Sequence, residues 1–163
     1  MDNLLYKLAA DVGAALKARG LALATAESCT GGWIGEAVTA VPGSSDWYER
    51  GFITYTNVAK REMLGVAADT LEKSGAVSEA AVKAMVTGAL AHSHAQIAVA
   101  VSGVAGPSGG TPAKPVGTVC IAWGRRDGAP FAETHHFAGD REAVRRQSVE
   151  RALTGVLALA SGK

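Results

Sequence analysis

Leu21-Ala22-Leu23-Ala24-Thr25-Ala26-Glu27-Ser28-Cys29-Thr30-Gly31-Gly32-Trp33 is the stretch on which the fold turns. Leu21 to Ala26 reads as a short strand. Glu27 to Gly32 is a polar, glycine-bearing turn, and Trp33 to Val41 has helical character up to Pro42. A strand that hands over directly to a helix is the unit of an α/β sheet, and ligands dock at such strand ends. Upstream, Leu4, Leu5, Leu8, Val12, Ala15 and Leu16 recur at helical spacing, so a surface helix runs to Gly20. Downstream, Arg50 to Thr56 is aromatic and β-branched and predicts a second strand. Asn57 is expected to cap a helix to Leu64, Ala68 to Lys73 a further one, and Ser78 a long helix to about Ser93.

The second half continues the pattern. Ile97 to Val101 is a compact apolar strand that enters the glycine-rich run Gly103 to Gly110. Val116 to Trp123 and Phe131 to Phe137 form a predicted hairpin around Arg126-Asp127-Gly128. Asp140 caps a last helix whose buried stripe is Val144, Ser148, Ala152, Val156 and Leu159. Helices between the early strands imply parallel crossovers, and the late hairpin adds antiparallel pairing. The expected architecture is a three-layer α/β/α sandwich with a mixed, partly parallel sheet. Residues 1–163 are read as a single domain, since 163 residues suit one core of ordinary size.

Composition narrows the function classes. The formal net charge of +1 offers no bulk attraction to nucleic acid or to an anionic membrane, so neither partner is expected. No apolar run reaches the ~20 residues that cross a bilayer, and the N-terminus lacks a signal-peptide core. The two cysteines, Cys29 and Cys120, are far apart and make neither a disulfide framework nor a metal site. They read as free thiols in a reducing, cytoplasmic setting, with no metal and no cofactor implied.

Four stretches carry chemistry. The Glu27-to-Gly32 turn can bring backbone N–H groups and a helix start to an anion, although a plain capped turn fits it equally well. The Val101-to-Gly110 segment repeats the arrangement at another strand end, where a backbone cradle competes with a flexible loop. Ser44, Ser45, Tyr55 and Lys60 form a third group. The four histidines, His92, His94, His135 and His136, stand beside no glycine-flanked serine, so a serine–histidine pair is unattractive. Lysine can replace histidine as base only if burial or a neighbouring cation pulls its pKa down from ~10.4. Spacing alone makes Lys60 a solvated helix lysine. Fourth, Arg141, Arg145 and Arg146 follow Asp140; Arg141 and Arg145 lie one helical turn apart and suit a phosphate or carboxylate, or else form a solvated basic face paired with Glu142 and Glu150.

In this order the stretches resemble one family. Thr25 to Gly32 is similar to its first signature; Gly43-Ser44-Ser45, Gly51-Phe52-Ile53-Thr54-Tyr55 and Lys60 to its second. Gly75-Ala76-Val77-Ser78-Glu79 resembles a third. Ser102-Gly103-Val104-Ala105-Gly106-Pro107 with Lys114 to Val119 resembles a fourth, and Gly139-Asp140-Arg141 with Arg145 the last. The family is the CinA C-terminal domain, also known as competence/damage-inducible protein CinA and as nicotinamide-nucleotide amidohydrolase. The chain resembles the stand-alone form, without the long N-terminal domain of full-length members. The resemblance implies metal-independent hydrolysis of nicotinamide mononucleotide to nicotinic acid mononucleotide and ammonia, a step that recycles pyridine nucleotide in bacteria. Carried over by motif, Ser45 is the nucleophile, Lys60 its base, and Tyr55 an aid to proton transfer. Thr30, Gly31 and Gly32, together with Ser102, Gly103 and Gly106, are candidates for oxyanion and phosphate contacts. Arg145, with Arg141 second, would clamp the phosphate, and Glu27 would hold the ribose or orient Lys60.

A strand over residues 50–56 would separate its ends by roughly 20 Å. Ser45 and Lys60 therefore meet only if the intervening loop folds back or a partner subunit supplies one of them; otherwise Ser28 or Thr30 takes the nucleophile's place. A homo-oligomer, with a dimer first, is expected. Two other classes remain open in the sequence: a nucleotide-binding module without catalysis, and a partner-binding protein tied to competence or recombination.

Overall fold

The computed structural model describes residues 2–162. Helix α1 (Asn3–Ala18) starts at Asp2, whose carboxylate accepts the Leu4 and Leu5 N–H groups. It buries Leu5, Ala9, Val12 and Leu16, the stripe legible in its helical spacing. Strand β1 (Leu23–Glu27) is buried along its whole length and leads through the Ser28-to-Gly32 turn into α2 (Trp33–Thr39). A 3-10 turn at Ser44–Asp46 precedes β2 (Tyr48–Ile53). Then come α3 (Asn57–Leu64), α4 (Ala68–Ser74), α5 (Glu79–Ala91), β3 (Ile97–Gly103), β4 (Thr118–Arg125), β5 (Phe131–His136) and α6 (Arg141–Ala160).

The five strands form one sheet in the order β2-β1-β3-β4-β5. β1 runs parallel to both β2 and β3, while β4 and β5 pair antiparallel. Helices cover both faces, so the mixed three-layer α/β/α sandwich expected from the sequence is the observed architecture. The odd-numbered side chains Leu23, Ile97, Val99, Val101, Val119, Ile121 and Trp123 meet α1, α2 and α6. The even-numbered face is built of Ala24, Ala26, Ala98, Ala100, Cys120 and Ala122 and meets α5. Its small side chains let α5 lie close to the sheet. On the outer side of α5, a Cβ on Gly88 would strike the carbonyl oxygen of Leu64, so this glycine sets how closely α3 can approach.

Ser78 and Asp140 cap α5 and α6 as the sequence predicts, accepting the Ala81 and Ala143 N–H groups. Asn57 does not cap α3: Thr56 does, its hydroxyl accepting Ala59 N–H at 3.1 Å. β2 begins and ends earlier than its aromatic and β-branched pattern suggests. The Thr54 and Tyr55 carbonyls have left the ladder to serve a side chain, as described below.

Candidate active site

β1 and β3 end side by side, and their polar continuations open into a cleft of about 230 Å³ lined by Ser28, Cys29, Tyr55, Lys60, Ser102 and Arg141 among others. The location is the carboxyl end of two parallel strands, where crossing connections leave a crevice. A neighbouring recess of about 450 Å³ shares Ala105 and Arg141 with it and extends past Gly139 and Asp140. Asn57, Ala76 and Val77 complete the wall of the first cleft. Ala76 and Val77 belong to the third stretch of the family resemblance, to which no chemical role is given, and Asn57 is expected from the sequence only as a helix cap.

Lys60 is the least expected feature of this cleft. It is 1% exposed, because it sits one turn before the buried Leu64 on the face of α3 that turns inward. Its Nζ lies 2.9 Å from the Thr54 carbonyl oxygen, 3.3 Å from that of Tyr55 and 3.0 Å from Ser28 Oγ. Among the described residues no carboxylate forms an ion pair with it. Burial pushes the amine below its ordinary value of 10.5. Lys60 Nζ donates to the two carbonyls, and the Ser28 hydroxyl, also 3.4 Å from the Tyr55 carbonyl, is placed to give its proton to the amine when that amine is neutral.

The structure brings Ser28 to Lys60, and it does not bring Ser45 there within one chain. Ser45 is exposed in the 3-10 turn before β2, whereas the Lys60 acceptors follow the end of β2. Six extended residues lie between them, a span of roughly 17 Å. The intervening segment is straight and does not fold back. Thr30 is also turned elsewhere, its hydroxyl donating to Glu27 Oε1 at 2.6 Å.

Glu27 is committed to the scaffold rather than to a ligand or to Lys60. Besides Thr30, its buried carboxylate accepts Ile34 N–H at 2.9 Å and Gly35 N–H at 3.0 Å. The start of α2 therefore already holds its anion, and that anion is Glu27. Gly31 and Gly32 take left-handed φ values of 59° and 105° that shape the turn, but neither they nor Thr30 line the cleft. The N–H groups of Cys29 and Thr30 donate to no other residue among those described.

The arginines exchange their expected ranks. Arg145 lies outside the cleft wall. Its guanidinium donates to the Cys29 and Thr30 carbonyls at 3.0 and 3.2 Å and stacks over Trp33. Arg141 is on the wall of both cavities and donates to the Gly106 carbonyl at 2.8 Å and the Tyr55 hydroxyl at 3.2 Å. Ser102 and Gly103 line the cleft as expected, while Gly106 contributes its carbonyl to Arg141. Cys29 also lines it, but burial pushes that thiol up to about 12, so it stays protonated. Among the described residues no group of three or more His, Cys, Asp or Glu side chains is placed to hold a metal ion, and no helix is long and apolar enough to cross a membrane.

Residues 5–160 match the model of the CinA C-terminal domain. Over 153 residues the chain is 57% identical to the nicotinamide-nucleotide amidohydrolase PncC of Pseudomonas putida, covering 93% of this chain and 94% of that one. Against the protein of the same name from Escherichia coli strain K12 the identity is 51% over 152 residues, covering 93% and 92%. Among solved structures, the competence/damage inducible protein CihA from Agrobacterium tumefaciens superposes with a TM-score of 0.95 at 43% identity, covering 98% of this chain and 97% of that chain. In sequence and in fold, the chain belongs to the CinA C-terminal domain family.

Proposed function

We propose that the chain is a nicotinamide-nucleotide amidohydrolase that converts nicotinamide mononucleotide to nicotinic acid mononucleotide and ammonia, with Ser28 as nucleophile and Lys60 as its base. The activity is that for which the relatives at 51% and 57% identity are named. One observation carries the assignment of residues: a buried lysine amine, unpaired with any carboxylate among the described residues, lies 3.0 Å from a cleft-lining hydroxyl.

A serine hydroxyl is a weak nucleophile until a base accepts its proton. Neutral Lys60 takes that proton while Ser28 Oγ forms a bond to the carboxamide carbon. The oxygen of the tetrahedral adduct then needs donors already in place. The Cys29 N–H, next along the chain from Ser28 in the cleft wall and donating to no other residue among those described, fills this role. The Lys60 ammonium returns the proton to the nitrogen, the C–N bond breaks and ammonia leaves. Water attacks the resulting ester, giving one proton to Lys60; Lys60 passes that proton to Ser28 Oγ as the C–O bond to the serine breaks, and the acid product leaves as its carboxylate, losing its last proton to solvent. Arg141, on the wall shared by both cavities, suits the mononucleotide phosphate, and Tyr55 stands beside it. The two adjoining cavities are of a size for a small polar ligand.

The test is ammonia release from nicotinamide mononucleotide by the purified protein, with and without a chelator. The expected result is turnover in both, with a loss of about 10²–10⁴-fold in Lys60→Ala. A Lys60→Ala protein that folds and keeps full turnover contradicts the proposal.

A further inference from the structure

Side chains alternate along a strand, so every second residue faces the same side of the sheet. In β1 and β3 that rule places Ala24, Ala26, Ala98 and Ala100 on one face, with Ala24 opposite Ala98 and Ala26 opposite Ala100. The next even positions are Ser28 and Ser102. Ser28 N–H donates to the Val101 carbonyl at 3.0 Å, so the pairing continues one step beyond β1. The two serines thus stand on neighbouring rungs of the same face, with backbones about 5 Å apart by ordinary strand spacing. The alanine stripe ends in two hydroxyls where the cleft begins.

Their surroundings differ. Ser28 is engaged by Lys60. Ser102 is 2% exposed and lines the same cleft, and among the described residues its hydroxyl makes no hydrogen bond. A hydroxyl left open in the cleft wall beside a nucleophile is free to meet a ligand atom. Facing Ser28, it lies on the side from which a carboxamide bound for attack presents either its oxygen or its nitrogen. The backbone N–H of Cys29 can only donate and therefore suits the oxygen. The hydroxyl of Ser102 can accept, which suits the nitrogen.

We propose that Ser102 is a second catalytic hydroxyl, whose oxygen accepts one N–H of the scissile primary carboxamide and turns the departing nitrogen toward Lys60. The idea rests on the amidohydrolase reading above and assigns the leaving-group side of that site. In the tetrahedral adduct this bond holds the nitrogen so that its lone pair faces the Lys60 ammonium. Lys60 transfers the proton it took from Ser28, the C–N bond breaks, and the nitrogen leaves as ammonia with Ser102 unchanged. The same contact selects substrates that carry an N–H on the leaving atom.

An ester has no such N–H, and this separates the roles. Wild type, Ser102→Ala and Ser28→Ala are compared on nicotinamide mononucleotide, by ammonia release, and on the methyl ester of nicotinic acid mononucleotide, by methanol release. Ser102→Ala is expected to lose roughly tenfold or more in kcat on the amide, with KM little changed, while ester turnover stays within about twofold. Ser28→Ala is expected to lose both. Equal losses on amide and ester in Ser102→Ala, or full amide turnover, overturn the assignment of Ser102 and leave the amidohydrolase reading standing. A wild-type protein that releases no ammonia overturns that reading, and this one with it.

Discussion

Among the described residues Lys60 is buried without a counter-charge, and the chemistry proposed for it follows from that. Taking an ammonium out of water disfavours the charged form, so its pKa lies below the ordinary 10.5, and burial is the dominant cause. In the proposed mechanism the base is the neutral amine. Turnover should rise with pH through the Lys60 pKa and level off above it, with a midpoint below 10.5; a rate–pH profile of kcat/KM checks this. Lys60→Arg should be inactive at every pH, because a guanidinium keeps its proton. At the other wall, Arg141 is the candidate reader of the phosphate. Arg141→Ala should raise KM for nicotinamide mononucleotide by roughly tenfold or more and leave kcat/KM for the riboside, which has no phosphate, almost unchanged. The sequence named Lys60 and both arginines but put Arg145 before Arg141. Arg141 and Arg145 share a helix face, and only the positions of Gly106, Tyr55, Cys29 and Thr30 decide what each one reaches.

At the scale of elements, α3 is the piece whose pattern misleads. Its apolar Val58 and Met63 are 58% and 42% exposed, while its Lys60 is 1% exposed, so hydropathy read along the helix puts the wrong side inward. Burial here is set by the neighbours. The Thr54 and Tyr55 carbonyls supply hydrogen-bond acceptors to the amine, and Gly88 of α5 lets Leu64 settle close by. Gly88→Ala places a methyl group against the Leu64 carbonyl. It should cost about 1–3 kcal/mol in denaturant unfolding and lower kcat by shifting Lys60 from Ser28. Strand β1 and its turn were more legible. Their apolar run, glycines and cap-forming residues locate the strand end correctly, but the use of Glu27 as the cap of α2 was hidden. A carboxylate that serves residues seven and eight positions ahead leaves no short-range signature.

Across the whole molecule, the order of elements and the mixed sheet were readable because the signals are periodic and local: helical stripes in α1 and α6, a compact apolar β3 and a hairpin with a clear turn. The Ser28–Lys60 pairing was not, because it depends on which ends of the strands lie together. A motif resemblance named Ser45, and the parallel pairing of β1 with β2 places that residue at the amino ends of these strands, opposite to the carboxyl ends where Ser28 and Lys60 meet, within the chain. The same topology brings Ser28 and Ser102, which lie far apart in sequence, to adjacent rungs. The most direct test of the Ser28–Lys60 pair is therefore a comparison of ammonia release by Ser28→Ala and Ser45→Ala, each shown to melt like the wild type. The account predicts a loss of about three orders of magnitude or more in Ser28→Ala and close to wild-type turnover in Ser45→Ala. The reverse outcome, Ser45→Ala inactive and Ser28→Ala active, contradicts it.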